Sequence, residues 1–135
     1  MFFILSLFLF IQNIYALNCS ISKIHINQGL NPNSMSISWL TNDKCFSHLA
    51  YGNSNRSLDY IVHGSSSFYE FYYNNKPYKS GYIHQVSLRN LKPQSLYYYR
   101  CGDFMVQEIS DILTFTTLPE VDDNYNTKFN FGIFA

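Results

Sequence analysis

From Lys23 onward, hydrophobic and polar positions fall into short alternating runs separated by turns. The clearest run sets Met35, Ile37 and Trp39 against Ser34, Ser36 and Ser38. One face is apolar and the other carries hydroxyls, the period of a half-buried strand. Residues 23–27 alternate before it, and a turn at 28–33 separates the two runs. A turn at 41–44 leads to a third strand, 46–51, closed by Gly52-Asn53-Ser54-Asn55. Residues 58–62 form a short edge strand. The stretch 64–78 is the least regular; its aromatic run 68–73 reads as a strand that Asn74-Asn75-Lys76-Pro77 ends. Residues 82–88, 97–101 and 111–117 supply three more strands. A polar, acidic linker covers 118–128, and 129–135 (Phe-Asn-Phe-Gly-Ile-Phe-Ala) reads as a buried strand whose apolar faces need covering.

Some seven short strands at this spacing, without helical periodicity, predict an all-β antiparallel sandwich of two sheets. Leu91-Lys92-Pro93-Gln94-Ser95-Leu96-Tyr97 has the layout of a tyrosine corner. Its Leu caps the core, Pro93 sets the turn, and the Tyr97 hydroxyl returns to backbone. With Trp39 as core anchor, the domain (17–117) resembles a fibronectin type III-like or immunoglobulin-like fold. Strand parity places Tyr97, Tyr99 and Cys101 on one face, and His84, Val86 and Leu88 on the inward face of theirs. His84 then lies on the core side or at its rim, where a lone histidine is a hydrogen-bonded structural residue rather than a ligand.

The 135 residues allow one domain of ordinary size, and 47% hydrophobic content is enough for a core. Charged residues make up 13% and the formal net charge is zero, with no basic stripe, which argues against a nucleic-acid partner. Residues 1–16 stand apart: almost wholly apolar to Ile11, ending on Ala16, and too short to span a bilayer comfortably. They read as a signal peptide, which places the protein in the secretory pathway with no membrane span once cleaved; the alternative is an uncleaved anchor or a buried helix. In that setting Asn18-Cys19-Ser20 and Asn55-Arg56-Ser57 are glycosylation sequons. Three cysteines allow one disulfide and leave one over. In a sandwich of this kind, the third and sixth strands are antiparallel neighbours. That favours Cys45 with Cys101 over Cys19 with either, the leftover thiol being free or bridging to another chain.

Hydrolytic metal chemistry needs clustered His, Asp or Glu. The four histidines, His25, His48, His63 and His84, sit on separate segments with no ligand spacing, so the sequence assigns this chain no metal or catalytic residue. There is no Gly-x-Ser-x-Gly and no phosphate-cradling glycine loop. Gly102-Asp103 reads as a loop turn. The aromatic run 68–73 serves for cross-strand packing or burial against a neighbouring domain, with a sugar platform or partner surface as the alternative.

Residues 33–41 (Asn-Ser-Met-Ser-Ile-Ser-Trp-Leu-Thr), Ala50-Tyr51-Gly52, 80–88 (Ser-Gly-Tyr-Ile-His-Gln-Val-Ser-Leu) with Leu91-Lys92-Pro93, 97–103 (Tyr-Tyr-Tyr-Arg-Cys-Gly-Asp) and 113–117 (Leu-Thr-Phe-Thr-Thr) together resemble the N-terminal domain of purple acid phosphatases. The resemblance runs from about Ile24 to Ala135. It implies a fibronectin-like domain without catalytic ligands, preceding a metallophosphoesterase domain whose first strand is matched by 129–135. It departs from the family's Gly-Asp-x-Gly motif in having Ala135 where the Gly stands. The implied parent activity is hydrolysis of phosphate monoesters at acid pH, by iron paired with a divalent iron, zinc or manganese. The partner it implies is the missing C-terminal catalytic domain, which this one braces, shaping one wall of its cleft and contributing to a homodimer. The other reading is a free-standing secreted binding or adhesion module, which has no use for an uncovered strand at 129–135.

Overall fold

The structure, a computed structural model, describes residues 17–120. The expected signal peptide, most of the expected linker and the expected terminal strand lie outside the described residues. Eleven strands and no helix make up the described part: β1 (Ser22–Gln28), β2 (Met35–Thr41), β3 (His48–Gly52), β4 (Tyr60–His63), β5 (Ser65–Ser67), β6 (Glu70–Tyr73), β7 (Lys76–Lys79), β8 (Tyr82–Leu88), β9 (Leu96–Asp103), β10 (Glu108–Ile109) and β11 (Leu113–Thr116). Nine of them form an antiparallel sandwich, and β6 and β7 pair with each other apart from it. One sheet runs β1-β2-β8-β5, and the other runs β10-β9-β3-β4, with β11 also on β9. No helix among the described residues is long and apolar enough to cross a membrane.

The alternation of β2 is realised in full: Met35, Ile37, Trp39 and Thr41 are buried, and the residues between them half-buried. Trp39 pairs in register with His84, and Ile37 with Val86, so both strands send these side chains into the space between the sheets. Leu49, Tyr97, Tyr99, Cys101 and Phe115 meet them from the other sheet. This shared core is what fixes the register, because a one-residue slip would turn every one of these side chains to water. At the end where the chain leaves the sandwich, the Lys92 amide donates to the Tyr97 hydroxyl at 3.0 Å. Thr117 closes the same corner, its hydroxyl donating to the Lys92 carbonyl at 2.6 Å and accepting from the Ser95 amide at 2.9 Å.

Three expectations need correction. The disulfide joins Cys19 to Cys45, not Cys45 to Cys101. β3 and β9 are indeed neighbours, but His48 is opposite Gly102, so Cys45, ahead of His48, runs past the end of β9 rather than facing Cys101. The N-terminal segment reaches Cys45 instead, because the Asn18 amide donates to the Asp43 carboxylate at 2.7 Å and the Asp43 amide to the Asn18 carbonyl at 3.2 Å. Gly102-Asp103 is not a loop turn; both residues lie in β9, and Asp103 is buried. Gly102 holds φ of 145°, and a Cβ there would strike the Glu108 carbonyl, so β10 can pair only with a glycine. The aromatic run does not end at Asn74. Asn74 and Asn75 take φ of 49° and 58°, the two left-handed positions of a tight hairpin turn, and the chain returns as β7 through Pro77. A strand that the alternation did not show, β10, precedes β11, and β11 itself falls within the expected 111–117.

Candidate functional site

Two features gather at the disulfide-bonded end of the sandwich, where Thr41 pairs with Tyr82 and His48 with both His63 and Gly102. The first is the β6–β7 hairpin, a separate two-stranded sheet whose eight strand residues are all exposed. Its base is pinned by Ser80, whose amide donates to the Tyr69 carbonyl while its hydroxyl accepts from the Tyr69 amide, both at 2.9 Å. Tyr69, Phe71 and Tyr78 form one aromatic plate, with Phe71 and Tyr78 4.9 Å apart between ring centroids and Tyr69 and Phe71 within 12° of parallel. Lys79 lies over the Phe68 ring at 4.8 Å, a cation–π contact beside the plate. Tyr72 is 79% exposed and Tyr73 69%, so the tip carries apolar area that this domain does not cover. Packing across the two strands accounts for the plate and leaves its outer face open. The sequence showed the aromatics but not that they stand on a projecting ribbon.

The second feature is a cluster of imidazoles that the sequence reading missed, since the histidines sit far apart along the chain. β3 and β4 make His48 and His63 register partners, with their rings edge to face at 4.9 Å. Asp103 stands beside them, its Oδ1 4.0 Å from His48 Nδ1. Asp103 accepts the Phe46 amide at 2.8 Å and the Met105 amide at 2.9 Å, so its carboxylate ties the start of β3 to the turn after β9. Hairpin register between the third and fourth strands is the signal that could have paired the two histidines.

His84 is wholly buried and flat against Trp39, at 5.1 Å between centroids and 6° between planes. Its Nε2 lies 2.7 Å from Thr41 Oγ1 and its Nδ1 2.7 Å from Ser47 Oγ. Thr41 gives its own hydroxyl proton to the Asp43 carbonyl, so it must accept from His84 Nε2–H, and Ser47 donates to Nδ1. This neutral tautomer is fully satisfied and leaves no place for a second proton. Burial lowers the His84 pKa, against a smaller upward pull from Asp103. A group held below its unfolded value of 6.5 contributes stability above that pH and loses it as the pH falls toward the folded value. The urea midpoint should therefore drop between pH 7.5 and 5. His84→Gln should start lower and fall less steeply; an equal slope in the variant would exclude His84 as a source.

Cys19, Cys45 and Asp103 bring three potential ligand atoms within 4.8 Å of one another. They do not fit a metal, because the two sulfurs are bonded to each other and both carboxylate oxygens already accept amides. Cys101 is a buried free thiol whose pKa burial pushes up to about 11, which leaves it unreactive at neutral pH. Asn18 and Asn55 are both exposed. Trp39 is buried in the core, Tyr97 is buried beneath its corner, and Pro93 is exposed in the turn between β8 and β9.

These features define a fibronectin type III-like β-sandwich with an uncovered aromatic ribbon at one end. The sequence matches the family described as "Purple acid Phosphatase, N-terminal domain" over residues 21–117, and the chain belongs to that family. Purple acid phosphatase 23 of Arabidopsis thaliana is 33% identical over 104 residues, covering 65% of this chain and 23% of that protein. A purple acid phosphatase of Glycine max is 30% identical over 113 residues, covering 82% of this chain and 22% of the relative. The chain thus spans about a fifth of the length of the curated relatives it matches. The purple acid phosphatase isolated from yellow lupin (Lupinus luteus) seeds shares the fold, with a TM-score of 0.59 over 76% of this chain and 20% of that one, at 17% identity.

Proposed function

We propose that this chain is the non-catalytic N-terminal domain of a secreted purple acid phosphatase. The carrying observation is the family match over residues 21–117, in relatives about four-fifths of whose length lies outside the similarity. In this reading the parent hydrolyses phosphate monoesters at an iron centre paired with divalent iron, zinc or manganese. All of the ligands to those metals come from the remainder of the parent. The domain braces that remainder, and the aromatic ribbon is the apolar surface available for the contact. Dimerisation of the parent and glycans on Asn18 and Asn55 belong to the same reading, both asparagines being exposed.

The test is to sequence the transcript past the codon for Ala135 and express what it encodes in a secretory host. An in-frame Asp followed by further Asp, Asn and His motifs is expected. The extended product should hydrolyse p-nitrophenyl phosphate with iron and zinc supplied, while residues 1–135 alone should not. Endoglycosidase should shift the mobility of the secreted product, and Asn18→Gln and Asn55→Gln should each remove one step. A stop codon after Ala135 would favour the free-standing binding module, for which the exposed ribbon would be the binding face.

A further inference from the structure

The imidazole cluster sits against the β9–β10 turn, and its hydrogen bonds are arranged so that one proton competes with one backbone contact. His48 Nδ1 accepts the Phe104 amide at 3.1 Å, which places the imidazole proton on Nε2 and leaves the ring neutral. A second proton can enter only at Nδ1, the atom that the Phe104 amide occupies. Protonated His48 and the bond to Phe104 are therefore mutually exclusive. A carboxylate acceptor for the new N–H, Asp103 Oδ1, lies 4.0 Å away, beyond hydrogen-bond distance until something moves.

What can move is the turn itself. Phe104 packs its ring on His48 at 5.3 Å, and the Met105 amide uses the same Asp103 oxygen that a protonated His48 would claim. Met105 is 74% exposed and Val106 48%, so little packing holds the tip in place. Gln107, at φ of 61°, closes the turn with its side-chain amide on the Phe104 carbonyl at 2.8 Å. The groups that face His48 are His63, edge-on from β4, Asp103 from β9, and the uncharged Phe46 ring from the segment before β3. Burial and His63 lower the His48 pKa, while Asp103 raises it.

We propose that residues 104–107 form an acid-released latch: protonation of His48 at Nδ1 transfers its hydrogen bond from the Phe104 amide to Asp103 and frees the Met105–Val106 tip. The proton comes from solvent, and no covalent bond changes. The ring stays in place between Phe46 and Phe104 while the backbone of the turn shifts.

The test is a nitrogen-15 NMR titration of the full chain from pH 8 to 4.5, following the His48 ring signal, the Phe104 and Met105 amides, and the core amide of Leu49 as a control for global unfolding. The Phe104 shift should share the midpoint of His48, and its exchange protection should fall about tenfold across it, the loss of one backbone hydrogen bond. Leu49 should stay protected. His48→Gln offers a carbonyl to the Phe104 amide without titrating, so it should abolish the transition. His63→Gln should move the His48 midpoint up by removing a neighbouring imidazole, and this readout survives if His48→Gln fails to fold. A Phe104 amide indifferent to the His48 titration, a transition that persists in His48→Gln, or an unmoved midpoint in His63→Gln would each overturn the latch.

Discussion

Replacing Trp39 by alanine should cost about 3–5 kcal/mol, a large part of the 5–15 kcal/mol that stabilises an ordinary domain. The indole is 1% exposed, stacks on His84 within its own sheet and belongs to the core shared by both sheets. Its removal would leave a cavity beside a buried imidazole whose two hydrogen bonds depend on a fixed ring position. Trp39 Nε1 is buried without a hydrogen-bond partner among the described residues. An unpartnered buried donor costs roughly 1–3 kcal/mol, so Trp39→Phe removes that penalty while losing some packing area. The phenylalanine variant should therefore stay much closer to wild type than the alanine variant. Urea midpoints of the three proteins decide it, and a Trp39→Ala loss within about 1 kcal/mol, a typical single-mutation value, would mean that the indole is not the centre of the core.

The sandwich was legible in the sequence because its core strands are half-buried, and half-burial writes itself as alternation. β2 and β8 show this best: serines and glutamine face out, Ile37, Trp39, His84 and Val86 face in. The tyrosine corner was legible for a different reason, since a turn and its closing tyrosine lie within a few residues of one another. The hairpin was only half legible. β6 and β7 are exposed on every strand residue, so no alternation marks them, and Pro77 looked like a terminator although a proline is tolerated on an edge strand. The His48, His63 and Asp103 cluster depends on strand register across three separate segments, information that spacing along the chain does not carry. The phosphatase resemblance could be read before the site could, because a family pattern is spread along the whole chain whereas a cluster exists only after folding.

Register also decides the cysteines, and removing the disulfide should have the second large effect. Cys19 and Cys45 are 26 residues apart. Closing a loop of that size lowers the entropy of the unfolded chain by an amount worth about 3.5 kcal/mol. Cys19→Ser, Cys45→Ser and the double variant should all lose about this much, because each breaks the same bond. Cys101→Ala should leave the bond intact and lose only what its buried side chain contributes to packing. In the native oxidised protein a maleimide should label nothing, because the remaining thiol is buried and its pKa is raised; unfolding without reductant should expose one reactive thiol, and it should map to Cys101. A non-reducing digest that yields Cys45 linked to Cys101, or labelling of Cys19 after unfolding, would overturn the assignment. The bond acts beside the Asn18 contacts to Asp43, which tie down the same segment. The disulfide thus does more than shorten a loop: it holds the first residues of the domain against the end of the sandwich where the hairpin, Asp103 and the two paired histidines are gathered.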